Sequence, residues 1–180
     1  SGKKYKETEE TDIALRVVAD HIRAIAFSIT DGQLPSNNSA GYVIRRILRR
    51  AVRYGYQKLD IKEPFIYKMV DPLVAEMGES FPELAKQKDL IEKVIHEEET
   101  SFFQTLATGI NKIDGLIATL KSQGKDTIPG DDVFRLSDTF GFPEDLTRLI
   151  AGENNVKIIQ VGHTHIERPD EAGEGRCKLL

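Results

Sequence analysis

Five of the nine residues from Arg45 to Arg53 are arginines (Arg45, Arg46, Arg49, Arg50 and Arg53), and apolar residues fill most of the gaps. Advanced by 100° per residue, Val43, Ile44, Ile47, Leu48, Ala51 and Val52 fall on one half of a helix and the arginines on the other. Such a segment folds as a helix with one buried face, and its other face needs a counter-charge. Arg45–Arg49, Arg46–Arg50 and Arg49–Arg53 are like-charged neighbours at i,i+4 and repel one another. From residue 36 to 59 there is no Asp or Glu, and Lys58 brings the segment to +6, on a chain whose net charge is −4. Acidic side chains of another helix could offset the repulsion, and so could phosphates. The choice of Arg over Lys favours bidentate phosphate contacts, and a rigid helix suits a double-stranded backbone.

The remaining periodicities are also helical. Ile13, Val17, Val18, Ile22, Ile25 and Ile29 predict a helix over 11–30, stopped by Asp31-Gly32. Ser36, Asn37, Asn38 and Ser39 are candidate N-caps for the arginine helix, and Gly55 a candidate C′ residue. A third helix is expected from Pro64, broken or kinked at Asp71-Pro72. Ser80-Phe81-Pro82-Glu83 opens a long helix over 82–122, within which Leu106, Ile110, Ile113, Ile117 and Leu120 step 4-3-4-3 as in a coiled coil. Ile128-Pro129-Gly130 reads as a turn. Asp131 caps a short helix, Pro143 starts another, and 156–161 reads as a strand. The fold class is therefore all-α: a helical bundle with one long helix and a short, mostly irregular C-terminal segment. Residues 1–10 read as a linker, 11–158 as the helical domain and 159–180 as an atypical tail.

Composition narrows the function classes. A chain of 180 residues with 39% hydrophobic and 30% charged residues suits one globular domain. No run of about 18 apolar residues suggests a membrane span, and the first residues carry no apolar signal core. The single cysteine, Cys177, fits a reducing compartment. There is no Walker A loop, no G-x-G-x-x-G and no G-x-S-x-G, so no catalytic residue is expected. His163, His165 and Cys177 lack the spacing of a structural zinc motif, so no metal ligand is expected either. Cys177-Lys178-Leu179-Leu180 departs from a prenylation box at its second position. Glu97-Glu98-Glu99 reads as a solvated helix face. Asn37 is either a helix cap or an amide facing a base edge. Asp138 is either the centre of a local Asx turn or a carboxylate that accepts from an exocyclic amine.

Four blocks, in order, resemble the alanyl-tRNA synthetases. They are Arg16-Val17-Val18-Ala19-Asp20-His21-Ile22-Arg23-Ala24, Asp31-Gly32-Gln33-Leu34-Pro35-Ser36-Asn37, the arginine segment from Gly41 to Arg53, and Asp138-Thr139-Phe140-Gly141-Phe142-Pro143-Glu144-Asp145-Leu146-Thr147. The resemblance implies the helical middle domain of a cytoplasmic class II enzyme that ligates alanine to tRNA, with tRNA(Ala) and its acceptor stem as partner. It implies that Asn37 and Asp138 read the G·U wobble pair of that stem, while Arg45, Arg46, Arg49, Arg50 and Arg53 hold its backbone. Asn38 adjoins the first of these readers, and Asp145 shares a block with the second. ATP, magnesium and zinc are implied for the whole enzyme and none for this stretch. The catalytic motifs are expected before residue 1, and the editing and oligomerisation regions after residue 180. The alternative reading is a helical protein-interaction module that docks an acidic partner through the arginine face, with the 4-3-4-3 run as a second seam.

Overall fold

The computed structural model describes residues 1–159 of the chain. The His163–His165 and Cys177 readings, and all but the first residue of the tail, lie outside it.

Helix α1, Glu9–Thr30, begins where the Thr8 hydroxyl accepts from the Thr11 amide at 3.2 Å. Glu9, Glu10 and Asp12 lie in its first turn, against the positive end of the helix dipole. The expected linker therefore ends inside a helix. Asp31 and Gly32, with φ +83° at the glycine, close it. Helix α2, Ser39–Lys58, returns along α1 in the most extensive helix–helix contact of the fold. Ile22, Ile25, Ala26 and Ile29 of α1 meet Ile44, Leu48, Ala51 and Val52 of α2 in one core.

At Gly41 a side chain would strike the Leu34 carbonyl, so the connector lies directly against the start of α2. Gly55 does not end α2. It sits within the helix because the Phe65 ring occupies the place of its missing Cβ. Val43, placed on the buried half by its angle, lies at the rim and is exposed.

Beyond Leu59 a 3-10 turn, Ile66–Met69, leads into α3, Val70–Met77. Asp71-Pro72 opens this helix where a break was expected. In the first turn proline sacrifices no intrahelical hydrogen bond. The long helix is divided as well, into α4, Pro82–Lys86, and α5, Lys88–Ser122, at Gln87, whose side-chain amide donates to the Thr30 carbonyl at 3.0 Å.

Helix α5 spans roughly 52 Å at 1.5 Å per residue and acts as the rail of the fold. The arginine helix packs on its first half. Helices α6, Gly130–Asp138, and α7, Glu144–Glu153, pack on its second half. Leu106, Ile110, Ile113, Ile117 and Leu120 are all buried within the chain's own core, so the 4-3-4-3 run is not a free docking seam. Strand β1, Thr127–Ile128, pairs in parallel with β2, Lys157–Ile158, across α6 and α7. Ile128 thus belongs to a strand, not to the expected turn.

Two features of α5 carry the packing. Glu99 is buried, and its carboxylate accepts from the Phe65 and Ile66 amides at 2.9 Å and the Tyr67 amide at 3.0 Å. These are the amide groups that open the 3-10 turn, and no other carboxylate caps them. Burial pushes the Glu99 carboxyl above the usual carboxylate range, and the three amides oppose that shift. The second feature is Gly109, where an added Cβ would strike the ring of the fully buried Phe142. The glycine, weak as a helix former, is the seat of that ring.

Glu99→Ala leaves three N–H groups without their acceptor, one of them on the buried Ile66, and is expected to cost about 3 kcal/mol in urea unfolding. Glu99→Gln, which keeps one acceptor oxygen, should fall between Glu99→Ala and the unmodified protein. Gly109→Ala gains helix propensity yet overpacks the Phe142 seat, and is expected to lose about 1–3 kcal/mol. A rise in the unfolding midpoint for this variant would contradict the packing.

Candidate nucleic-acid interface

The five arginines of α2 have five different environments. Arg45 is fixed by Glu98 of α5, with Nε donating to Oε2 at 2.9 Å and Nη2 to Oε1 at 2.5 Å. Its remaining Nη1 donates to Oδ1 of Asn37. Arg53 is 3% exposed and forms a fork with Glu153 of α7, while its Nε donates to Gln57 at 2.5 Å. It therefore lies inside the fold and not on the open half of the helix. Arg49 is half-buried, its guanidinium 5.1 Å from the centroid of Phe102, with Nε unpartnered. Burial pushes its pKa down, and the neighbouring Arg45 adds to that. Arg46 is half-exposed and faces Asp145 at 3.9 Å, at the outer limit of an ion pair. Arg50 is exposed and has no carboxylate partner among the described residues. The counter-charges are thus supplied by α5 and α7, most firmly at Arg45 and Arg53.

Arg46 and Arg50 line a cleft of about 270 Å³ with His21 of α1, Ile47, and Asp145, Leu146 and Leu149 of α7. His21 contributes a buried Nδ1 that lacks a hydrogen bond, with Asp20 Oδ2 3.4 Å away. Burial pushes the His21 pKa below its ordinary range. Asp20 opposes this and the Arg50 charge reinforces it. Asp145 is half-buried, and desolvation pushes its carboxyl up against the pull of Arg46.

Asn37 is exposed at the entry to α2. Asn38 occupies the N-cap position but makes no capping bond. The connector is pinned instead by Ser36, whose Oγ accepts from the Asn38 amide at 3.3 Å and donates to the Asn38 carbonyl at 2.9 Å. Asp138 is exposed at the last turn of α6, and its carboxylate makes no hydrogen bond or ion pair among the described residues. Next to it, Thr139 and Phe140 line a second cleft of about 400 Å³ with Lys112, Leu116 and Arg135. Asn37 and Asp138 do not touch. Both are tied to α5, Asn37 through Arg45 and Glu98, Asp138 through the neighbours that pack beside Lys112. It is Asp145, not Asp138, that adjoins the arginine face.

Sequence reasoning assigned neither Glu153 nor Asp145 to the arginines, and did not place His21 in the cleft that Arg46 and Arg50 line. Of the three consecutive glutamates only Glu97 is solvated. Successive residues of a helix point 100° apart, so Glu98 meets α2 and Glu99 the core. A signal for Glu99 was present: it lies four residues after the buried Ile95 and three before the buried Phe102. Among the described residues no group of three or more His, Cys, Asp or Glu is placed to hold a metal ion, and no helix is long and apolar enough to cross a membrane.

Because His21 has its pKa lowered in the folded state, the unfolded chain binds its proton more tightly. Its contribution to stability is present above pH about 6.5 and is lost as pH falls through the folded value. His21→Gln should therefore flatten the decline of the urea midpoint between pH 7 and pH 5, and an unchanged decline would refute the assignment.

Comparison with known proteins gives concordant matches. The family described as tRNA synthetases class II (A) matches residues 1–173. An alanine–tRNA ligase of Bacteroides fragilis is 60% identical over 158 residues, 88% of this chain and 18% of that protein. Those of Cytophaga hutchinsonii and Porphyromonas gingivalis are 56% and 55% identical over 162 residues, each covering 90% of this chain and 18% of the relative. The chain thus spans about a fifth of the length of the curated relatives it matches.

Proposed function

The chain belongs to the family of class II tRNA synthetases (A), and we propose that it is the part of an alanine–tRNA ligase that recognises the acceptor stem of tRNA(Ala). In this reading the ligase as a whole attaches alanine to tRNA using ATP and magnesium, with catalytic and editing regions of the same protein as further partners. This stretch binds RNA and performs no chemistry. Zinc, like ATP and magnesium, is assigned outside it.

One observation carries the reading. Asn37 and Asp138 each had a local structural alternative, and neither makes the bond that alternative requires. Asn37 caps no helix; its oxygen is taken by Arg45. Asp138 closes no Asx turn; its carboxylate has no partner among the described residues. The NH2 group of Asn37 and the carboxylate of Asp138 are thus left without a partner among the described residues, which supports a role towards a ligand.

The chemistry follows from the form of the RNA. An A-form stem presents a wide, shallow minor groove with 2′-hydroxyls and base edges. A G·U wobble pair displays an unpaired guanine amino group there, and an acceptor-only carboxylate such as Asp138 suits that donor. Arg46 and Arg50, the exposed guanidiniums of α2, suit the phosphates, with Arg49 behind them. Backbone contacts supply affinity and the groove contact supplies specificity. The protein-interaction alternative loses its second seam to the core, and two arginines it would need are already paired internally.

A gel shift with an alanine acceptor-stem hairpin and its G·C counterpart tests the reading. The unmodified protein should prefer the G·U stem, and Asp138→Ala should lose about 1–3 kcal/mol of that preference while its affinity for the G·C stem holds. Equal binding of both stems by the unmodified protein would sink the proposal.

A further inference from the structure

Arginine has only donors to offer, so the Asn37 atom that meets Arg45 Nη1 is the carbonyl oxygen Oδ1. The amide NH2 is thereby turned away from the guanidinium, towards solvent. Arg45 is itself held along one edge of its guanidinium by Glu98, through Nε and Nη2. A bidentate fork fixes the orientation of the guanidinium as well as its position. Both charged groups are only 19% exposed, so the fork is shielded. The one corner left free, Nη1, meets Asn37. Ser36 fastens the backbone on the other side of Asn37, and the Leu34 carbonyl lies where a side chain at Gly41 would be, so the connector sits close against α2.

We propose that Glu98 is a positioning residue that acts through Arg45 to fix Asn37 as a hydrogen-bond donor. This rests on the RNA-recognition reading above and extends it. Asn37 and Asp138 then present opposite polarities, NH2 from one and carboxylate from the other. The wobble pair offers both matching partners at its groove edge, the guanine amino group as donor and the pyrimidine O2 carbonyl or a ribose 2′-hydroxyl as acceptor. Asp138 takes the donor and Asn37 takes the acceptor. Arg45 serves this relay and makes no phosphate contact.

The test is equilibrium binding of the 180-residue protein to G·U and G·C acceptor-stem hairpins, with thermal melting of each variant alongside. Asn37→Asp keeps an oxygen for Arg45 and nearly the same shape but removes the NH2 group. It is expected to lower the G·U over G·C preference at least about fivefold. Glu98→Gln replaces one oxygen of the fork with a donor that Arg45 cannot use. The preference should fall severalfold while affinity for the G·C stem stays within about twofold and the melting temperature holds. Arg45→Lys retains the charge without the fork and should behave like Glu98→Gln. A stem with 2′-deoxyuridine in the wobble pair separates the two acceptors. Weaker binding of that stem by the unmodified protein identifies the hydroxyl, and unchanged binding identifies the carbonyl. An undiminished preference in Asn37→Asp overturns the donor assignment. An undiminished preference in Glu98→Gln, or an equal loss for both stems, overturns the relay. If the unmodified protein itself shows no preference, the RNA reading fails and the relay falls with it.

Discussion

Five guanidiniums cannot share one helix without counter-charge, and the rest of the molecule is arranged around that constraint. Like charges at i,i+4 destabilise a helix by a few tenths of a kcal/mol per pair, and α2 carries three such pairs while its own sequence from 36 to 59 contains no acid. The compensation comes from other elements. Glu98 of α5 takes Arg45, Glu153 of α7 takes Arg53, Asp145 of α7 faces Arg46, and the Phe102 ring lies under Arg49. The charge pattern of one helix thereby ties together the two halves of the fold, since α5 and α7 must both reach α2. The same pairings pre-empt part of the basic surface, and a stripe that reads as five equivalent anion ligands becomes two exposed guanidiniums with three others held in place.

Much of the architecture was legible because apolar spacing reports burial directly. The all-α class, the long helix and the core faces of α1 and α2 follow from residues such as Ile22, Ile25, Leu48 and Leu106. What escaped depends on contacts between distant segments. Gly55 and Gly109 read locally as a terminator and a weak point, yet each is a seat for an aromatic ring, Phe65 and Phe142, that lies farther along the chain. Gln87 divides the long helix and bonds to Thr30, which no local pattern could signal. Pro72 looks like a breaker in the sequence because no local pattern shows that a 3-10 turn ends just before Val70, which leaves proline in the first turn of a new helix.

For the candidate site, local reasoning named candidate residues but not most of the groups that hold them. The arginines were conspicuous, and the family blocks pointed to Asn37 and Asp138. The acidic partners were hidden within a glutamate run and a block motif, where a carboxylate on the inner face has the same letter as one in water. The relatives extend well beyond this stretch, and the proposed roles are those of a rigid reader. Glu98, Arg45 and Ser36 hold one recognition group in a fixed pose, and Asp138 stands free at the end of α6. Such division of labour separates specificity from affinity physically, because the groups that orient the reader are not those left open to phosphate.

In the proposed reading, the carboxylates that pair with Arg45 and Arg53 withdraw them from anion binding and leave Arg46 and Arg50 to it. The salt dependence of acceptor-stem affinity, measured for single Arg→Gln variants at these four positions, tests this most directly. Removing one phosphate ligand flattens the log–log slope by nearly one unit. Arg46→Gln and Arg50→Gln should each flatten the slope, while Arg45→Gln and Arg53→Gln should leave it as in the unmodified protein. An equal flattening at all four positions would contradict that division.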